Sequence, residues 1–535
     1  MIITLWRQPL FKLFLIALPT YWLLILNDGS YYDGMGLRVW RETQTFDFFD
    51  KWFWDVGKPI LTFIYWPVLK SQYWVILTKL INFFSLVATA FLFFRILKSS
   101  RLFENREAFF ISALTLTYSG VQMAAENAAL QYILLFPVYL LGFHFYQLSF
   151  TAQGGKKAAL KFAAASFTFL GFFTHSLLLL HYLFLFLILV PQRIQHPKIS
   201  LVKTVLQLSD AVLWPLVYWV FRNLFFPPQG IYKDYYKLDF TFDGLMQGIV
   251  SLVKFPIYSE LKNSFLISPN YFVSILFFAA ATYLFWNLQK ASIDIPQKKV
   301  KFLGVAFIGG VGLVLSAIPY ILVRQYFEQF GWSTKNHVLF GCVLALTIYG
   351  VVGLLTNWLK LSNLRFPLMS TIILLFCINS NKNYLDLQFS SIKDSAVHFH
   401  LGNSKVAKES SVFQICDEYF VPRLPDLYYT HISSFIFYMA FRDMKRTGIV
   451  ISNPSQANYL DSDSVKNIIK GHAEILATPE VDANGNQALV RILPGIDQKL
   501  WISTFEYYRL KFFEPQLLPQ FYQKILKLEV VELSL

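Results

Sequence analysis

The chain has 535 residues, of which 55% are hydrophobic and only 15% are charged, and its mean hydropathy is +0.45. Apolar runs of about twenty residues recur along it, long enough to cross a bilayer, and they exclude an ordinary soluble globular protein. The net charge of +14 does not indicate nucleic-acid binding, because Lys and Arg in cytoplasmic loops produce such an excess in membrane proteins. The sequence therefore predicts a helical polytopic membrane protein whose surface contacts membrane lipids.

Hydropathy predicts about eleven transmembrane helices in chain order. They cover 10–26, 73–95, 107–122, 128–149, 158–174, 176–191, 205–226, 270–287, 302–323, 336–356 and 364–380. The first is expected to stay uncleaved, because no small-residue cleavage site follows it. Lys and Arg concentrate in the loops after every second span, so the positive-inside rule places the N-terminus inside and the remaining connections outside.

Two modules are expected from this topology. Residues 1–380 form the transmembrane module, with long external loops at 27–72 and 222–269. From Asn381 onward the chain is polar, with strand-like runs such as GIVIS and ALVRILP and a turn-forming DANGNQ segment. Residues 381–535 are therefore predicted to be a small extracytoplasmic α/β domain. The three cysteines and a single His-Phe-His sequence offer no disulfide framework or metal site, although a divalent ion between acids and phosphate stays possible.

Several ionisable residues fall at the predicted outer boundary of the membrane. Such groups are costly at this depth and usually pair or line a cavity. Each also has a purely structural interpretation: a helix-end acid, an N-cap, a buried histidine between helices or a snorkelling base. The residues concerned are Asp28, Asp33, Glu126, His175, Arg324 and Lys335.

The order of these residues resembles that of the GT-C glycosyltransferases, particularly protein O-mannosyltransferase-like and aminoarabinose transferase-like enzymes. Those enzymes carry acids and a tyrosine just after the first helix, matched here by Asp28, Tyr31 and Tyr32. A Lys-Pro or His-Pro follows in the same loop, matched by Lys58-Pro59.

The resemblance continues into the later helices. An acid that opens the fourth helix is matched by Glu126 in AAENAALQYILLFPVYL, and a Thr-Lys-Gly-like turn by His175 in FLGFFTHSLLLL. A basic residue before a later helix is matched by Lys335 in WSTKNHVLFG. The chain departs from the family at Gly29, where a second acid is usual, and at His175, where a lysine is common.

The resemblance implies an all-α, GT-C-like membrane enzyme that moves a sugar from a polyprenyl-phosphate donor to an acceptor hydroxyl, with inversion. Its implied base is Asp28 or, second, Asp33, and Glu126 would orient the acceptor or share the proton. Basic residues would bind the donor phosphate, and three further residues would bind substrate. The phosphate set is Lys58, Arg324 and Lys335, and the substrate set is Tyr31, Tyr32 and His175.

No organic cofactor is implied. The expected partners are the polyprenyl-linked donor, a lipid, protein or glycan acceptor, and membrane lipids. The expected location is a bacterial inner (plasma) membrane with the site on the extracytoplasmic side. Three alternatives share parts of this pattern: a polymerase or ligase of lipid-linked oligosaccharides, a transporter, and a non-catalytic scaffold. A transporter would place polar residues at mid-span rather than at one boundary.

Overall fold

A computed structural model describes residues 8–43, 46–195, 208–230, 232–235, 237–265, 299–419, 430–443, 445–467, 482–495 and 500–534. The predicted span 270–287 lies outside these residues. Within them the protein is mostly helical, with one small sheet near the C-terminal end of the sequence.

The helices of the first half alternate between long apolar segments and short connecting ones. They are α1 Pro9–Leu26, α2 Tyr32–Thr43, α3 Phe46–Asp55, α4 Ile60–Lys70, α5 Trp74–Ser99, α6 Asn105–Thr117, α7 Leu130–Ser149, α8 Gly154–Gly171, α9 Leu177–Gln195 and α10 Ser209–Phe225. The start of α6 shows how the sequence sets a boundary, because the Glu104 and Glu107 side chains form a capping box there.

The second half adds α11 Phe242–Leu252, α12 Glu260–Phe265, α13 Lys299–Ile321, α14 Phe340–Trp358, α15 Arg365–Asn403, α16 Thr430–Phe441, α17 Leu500–Phe513 and α18 Leu518–Ile525. Helix α15 has 39 residues and continues well beyond residue 380. Its polar half is held against α1, where the Asn381 amide donates to the carbonyl oxygens of Pro19 and Thr20 at 2.9 and 3.1 Å.

Six helices in the described ranges are long and apolar enough to cross a membrane, which is consistent with an integral membrane protein. They are Pro9–Leu26, Trp74–Ser99, Asn127–Ser149, Lys301–Ile321, Phe340–Trp358 and Ser362–Asn403. The predicted count of about eleven is not confirmed. Helix α6 has only 13 residues and α10 has 17, while α8 begins with a polar Gly-Gly-Lys-Lys turn.

The sheet has four strands in the order β2–β1–β3–β4: β1 Ser410–Asp417, β2 Thr447–Val450, β3 Asn486–Pro494 and β4 Leu526–Leu533. Strand β1 runs parallel to β2 and β3, and β4 closes one edge antiparallel to β3. Helix α16 covers β1, with the rings of Phe413 and Phe437 stacked at 3.9 Å. A small mixed α/β unit therefore follows the membrane helices, as the sequence indicated. It brings α17 against the connection after α1, where Tyr508 donates to the Leu26 carbonyl oxygen at 3.1 Å.

Candidate active site

A buried carboxylate organises the connection between α1 and α2. Glu126 is fully buried, and its two oxygens accept the backbone N–H groups of Tyr31 at 2.8 Å and of Ala128 at 2.9 Å. Burial raises the pKa of Glu126, and the positive charge of the nearby Lys79 partly offsets this rise. A Cβ atom at position 34 would overlap the Glu126 carboxylate, so Gly34 is needed for this close approach. Glu126 therefore fixes the segment that carries the predicted acids to the start of α7.

The backbone of that segment is strained beside its second acid. Tyr32 has φ 41°, a left-handed conformation that non-glycine residues seldom adopt and that concentrates at functional sites. Its ring lies 6.4 Å from that of Trp332, on the short turn that carries Lys335. The hydroxyl of Tyr31 donates to the Leu387 carbonyl oxygen at 2.7 Å on α15. The two tyrosines thus hold the segment from opposite sides.

Asp33 is the acid of this segment on which the charge of Lys335 acts. Its side chain is half-buried, and burial raises its pKa while the charge of Lys335 opposes that effect. The same Asp33 charge acts on Glu126 and raises the pKa of that carboxyl further. Asp33 is therefore a carboxylate with raised proton affinity within electrostatic range of a buried lysine.

Asp28 has a different environment. Lys511 of α17 forms an ion pair with it, the Tyr507 hydroxyl donates to it at 2.5 Å, and Gln388 donates at 2.8 Å. Burial alone would raise the pKa of Asp28, but Lys511 and the hydrogen bonds from Tyr507 and Gln388 together lower it. Asp28 thus connects the α1–α2 segment to the C-terminal unit.

A basic cavity of about 190 Å³ lies at the ends of α8, α9, α10, α13 and α14. Its lining residues are Lys58, Tyr132, Thr174, His175, Ser176, Leu178, Tyr218, Trp219, Arg222, Pro319, Tyr320, Val323, Gln325, Lys335 and Asn336. This lining, within the described part of the chain, contains no acidic side chain. Lys58 and Lys335 approach the same ring, with their Nζ atoms 5.4 and 5.8 Å from the centroid of Tyr132.

Local geometry brings Lys58 into this cavity. Gly57 has φ 74° and turns the chain between α3 and α4, and a Cβ there would meet the Phe226 carbonyl oxygen. The turn sets Lys58 beside the last turn of α10, which carries Arg222. Lys335 arrives from the turn before α14 and lies 4.1 Å from the centroid of the Trp332 ring. Three cations from distant parts of the sequence therefore share one buried space.

The electrostatics of this space are unfavourable for the charged form of its basic groups. Burial lowers the pKa of Lys58 to about 7, with added repulsion from Lys335 and Arg222. Burial also lowers the pKa of Lys335 to about 8, although the negative charges of Asp33 and Glu328 act in the opposite direction. The pKa of His175 lies well below its usual value, through burial and then the charges of Lys58 and Arg222. Buried like charges are costly until an opposite charge joins them.

Unpartnered polar atoms line the same cavity. The Thr174 hydroxyl, the Tyr218 hydroxyl and the His175 Nε2 atom are buried and form no hydrogen bond in the structure. Buried polar groups are normally paired, and an unpaired set around a basic cavity is typical of a ligand site. These three groups could donate to the oxygens of a bound anion once it neutralises the cations.

The structure thus brings together only some of the predicted residues. Lys58, His175 and Lys335 line the cavity, and Asp33 does not line it but acts on Lys335 through its charge. Arg324 is mostly exposed, forms an ion pair with Asp239, and is not among the lining residues.

Sequence reasoning missed Arg222, Tyr132 and Tyr218 as lining residues. The position of Arg222 at the end of a predicted span was the one signal that could have indicated it. In the ranges that the structure describes, no group of three or more His, Cys, Asp or Glu side chains could hold a metal ion.

Fold and site together describe a mostly helical protein, consistent with an integral membrane protein, with a cavity lined by basic side chains. No protein-family model matches this chain, and neither a curated protein nor a solved structure matches it.

The approach of Gly34 to Glu126 yields a first prediction. We expect Gly34→Ala to displace the Glu126 carboxylate from its two backbone donors and to lower the free energy of unfolding by about 1–3 kcal/mol. Thermal unfolding in detergent measures the change. Gly310→Ala is the matched control, because a Cβ there meets nothing within 4 Å. Equal melting temperatures for the two variants would contradict the role given to Glu126.

The ion pair between Asp28 and Lys511 yields a second prediction. In a double-mutant cycle with Asp28→Asn and Lys511→Met, we expect a coupling of about 0.5–3 kcal/mol in the free energy of unfolding. The lowered pKa of Asp28 means that this stabilisation is present above the ordinary carboxyl pKa and is lost as the pH falls through the folded value. Mutant cycles at neutral and acidic pH test both points. If the two substitutions change the free energy of unfolding additively at neutral pH, the ion pair between Asp28 and Lys511 is contradicted.

Proposed function

We propose that this protein is a membrane glycosyltransferase of GT-C type, which transfers a sugar from a polyprenyl-phosphate donor to an acceptor hydroxyl at the extracytoplasmic face. The observation that carries the proposal is a cavity lined by the buried Lys58 and Lys335 and by the half-buried Arg222, with the charge of Asp33 acting on Lys335. A phosphate diester or monoester is the anion that such a cluster suits, because basic groups and neutral donors meet its oxygens together.

The proposed reaction uses these groups as follows. Asp33 accepts the proton of the acceptor hydroxyl while that oxygen forms a bond to the anomeric carbon. The bond between the anomeric carbon and the phosphate oxygen breaks, and its electron pair leaves with the polyprenyl phosphate. Lys58, Lys335 and Arg222 balance the charge that grows on the leaving phosphate. Attack opposite the leaving group inverts the anomeric centre.

Asp33 is the proposed base in preference to Asp28. Burial raises the pKa of Asp33, which brings its proton affinity closer to neutral pH, as a general base requires. Asp28 is held by Lys511, Tyr507 and Gln388, and its lowered pKa makes it a weaker proton acceptor. Glu126 is then a positioning residue, because it holds the backbone just before Asp33 through the Tyr31 N–H group.

The test uses the purified full chain in detergent with a panel of polyprenyl-phosphate-linked monosaccharides and a membrane-lipid extract as the acceptor source. Mass spectrometry measures free polyprenyl phosphate and glycosylated acceptor. We expect both products with at least one donor and neither product with Asp33→Asn. The absence of both products with every donor, together with no binding of polyprenyl phosphate, would overturn the proposal.

The lysine pKa values make a third prediction, on the pH dependence of binding. In the anion-free protein Lys58 loses its proton near pH 7 and Lys335 near pH 8, so phosphate affinity should fall as the pH rises through this range. A bound anion raises both pKa values, so binding takes up protons, up to about tenfold in affinity per pH unit for each lysine.

Calorimetry with farnesyl phosphate, in buffers of different ionisation enthalpy, measures the affinity and the proton uptake together. Lys335→Arg is the matched control, because an arginine stays protonated and should remove the part of the decline near pH 8. An affinity that stays constant from neutral to alkaline pH, without proton uptake, would contradict the assignment of the two lysines.

A further inference from the structure

The surface of helix α11 has three sides that differ in burial and polarity. Gly244, Gly248, Ser251 and Leu252 are buried against the protein. Large apolar side chains on the second side are exposed, namely Phe242 at 75%, Met246 at 44%, Ile249 at 49%, Val250 at 57% and, just after the helix, Val253 at 54%. Polar residues occupy the third side, and these are Asp243, Gln247 and Lys254.

The helical period makes this division regular. At about 100° per residue, the five exposed apolar residues fall within an arc of roughly 100°, and the exposed polar residues fall in a narrow arc next to it. A helix that crosses a bilayer would be apolar on all of its exposed surface. A helix with protein, apolar and polar sides in turn is typical of one that lies along the membrane surface.

The position of α11 agrees with this orientation. Its Gly248 packs against Ile321, the last residue of a candidate span, and Thr241 caps its first turn by accepting the Gly244 N–H group. The preceding segment is tied to the same end of α13, because Asp239 donates its N–H to the Leu322 carbonyl oxygen at 2.7 Å. Helix α11 therefore crosses α13 where the apolar span ends.

The candidate span that α11 contacts also exposes large apolar side chains. Leu303, Phe307 and Val314 of α13 are 62%, 70% and 52% exposed and lie on the candidate membrane helix. Exposed apolar side chains on a candidate span, and on an amphipathic helix packed at the end of that span, fit one partner, the hydrocarbon just below the lipid headgroups. Lys254 borders the apolar side, where its ammonium group could meet an anionic headgroup.

We propose that α11 is an interfacial helix whose apolar side, from Phe242 to Val253, is embedded at the boundary between lipid headgroups and hydrocarbon. The proposal does not depend on transferase activity. It fixes the depth of the cavity, because Pro319 and Tyr320 of α13 line the cavity within two residues of Ile321. The cavity then opens at the depth where the phosphate of a lipid-borne substrate lies.

Site-directed spin labelling tests this placement in the full chain. Single cysteines replace Val250 on the apolar side and Gln247 on the polar side, and a nitroxide label is attached to each. The native Cys342, Cys377 and Cys416 are buried, and labelling of the unsubstituted chain measures their background. The protein is reconstituted in vesicles of phosphatidylethanolamine and phosphatidylglycerol in equal parts. Collision rates are measured with oxygen, which concentrates in hydrocarbon, and with a water-soluble nickel chelate.

We expect the label at Val250→Cys to collide more with oxygen than with the nickel chelate, and the label at Gln247→Cys to show the reverse. Two labels that both favour the nickel chelate would overturn the proposal, because α11 would then lie in water. A label at position 250 that is shielded from both reagents would also overturn it, since protein rather than lipid would cover that side. Sugar transfer enters neither measurement, so failure here is separate from failure of the proposed function.

Discussion

Asp33→Asn should lower the turnover rate of sugar transfer about 10²–10⁴-fold, the range that a positioned general base contributes. The amide cannot accept the proton of the acceptor hydroxyl, but it keeps the size of the side chain. It leaves the cations of the cavity in place, so binding of polyprenyl phosphate should stay within a few-fold of the unaltered protein. The turnover rate is measured at a fixed donor concentration, and the binding of polyprenyl phosphate is measured by calorimetry. The two measurements separate the effect on catalysis from the effect on binding.

Asp28→Asn is the matched control, because it makes the same chemical change a few residues away. It breaks the ion pair to Lys511, so its effect should appear in unfolding and be reproduced by Lys511→Met. Loss of turnover in Asp28→Asn, with binding and stability intact and with Asp33→Asn fully active, would make Asp28 the base. Full activity in Asp33→Asn alone would remove Asp33 from the proposed mechanism.

These two aspartates show what the sequence could and could not predict. The sequence places both just after the first apolar helix; in the structure Asp28 follows α1 directly, whereas Asp33 lies in the first turn of α2. Their separate environments depend on contacts from far along the chain. Lys511 lies 483 residues from Asp28, and Lys335 acts on Asp33 from a turn before α14. No local pattern encodes such pairings, because they arise only when the helices pack.

The cavity illustrates the same limit. The predicted topology placed His175 and Lys335 at one boundary and Lys58 in the external loop 27–72, and the structure brings these three residues together. Arg324 shared that boundary, yet it pairs with Asp239 on the surface. Arg222 was overlooked because a lone arginine at the end of an apolar run is common. Hydropathy predicts which residues follow an apolar segment, but the direction of a side chain follows from turns such as that at Gly57.

The helices show where hydropathy itself is ambiguous. Apolar runs at α6, α9 and α10 predict spans, but α6 and α10 have fewer than 18 residues, and within the described residues Leu177–Val190 of α9 is among the shorter apolar helices. Short apolar helices also occur in packed interiors, and periodicity alone does not separate the two. The end of the last span was equally hard to predict, because α15 continues through a polar stretch that packs against α1.

Replacing both buried lysines should abolish phosphate binding. In Lys58→Met/Lys335→Met, each lost charge-assisted hydrogen bond should cost about 1.5–3 kcal/mol, so farnesyl phosphate affinity should fall about 10²–10⁴-fold. Folding should not suffer, because the substitutions remove the repulsion between two buried cations and methionine fills a similar volume. The double variant should therefore melt at a temperature equal to or above that of the unaltered protein.

Ligand-dependent melting separates a binding role from a structural one. Farnesyl phosphate should raise the melting temperature of the unaltered protein and leave that of the double variant unchanged. Arg324→Met is the matched control, because it removes a cation at the same boundary that lies outside the cavity lining, and its affinity should stay within about twofold. Undiminished binding in the double variant would place the phosphate elsewhere. A marked fall in its melting temperature would instead show that Lys58 and Lys335 stabilise the fold through an anionic partner that belongs to the protein, and the two lysines would then no longer support a substrate site.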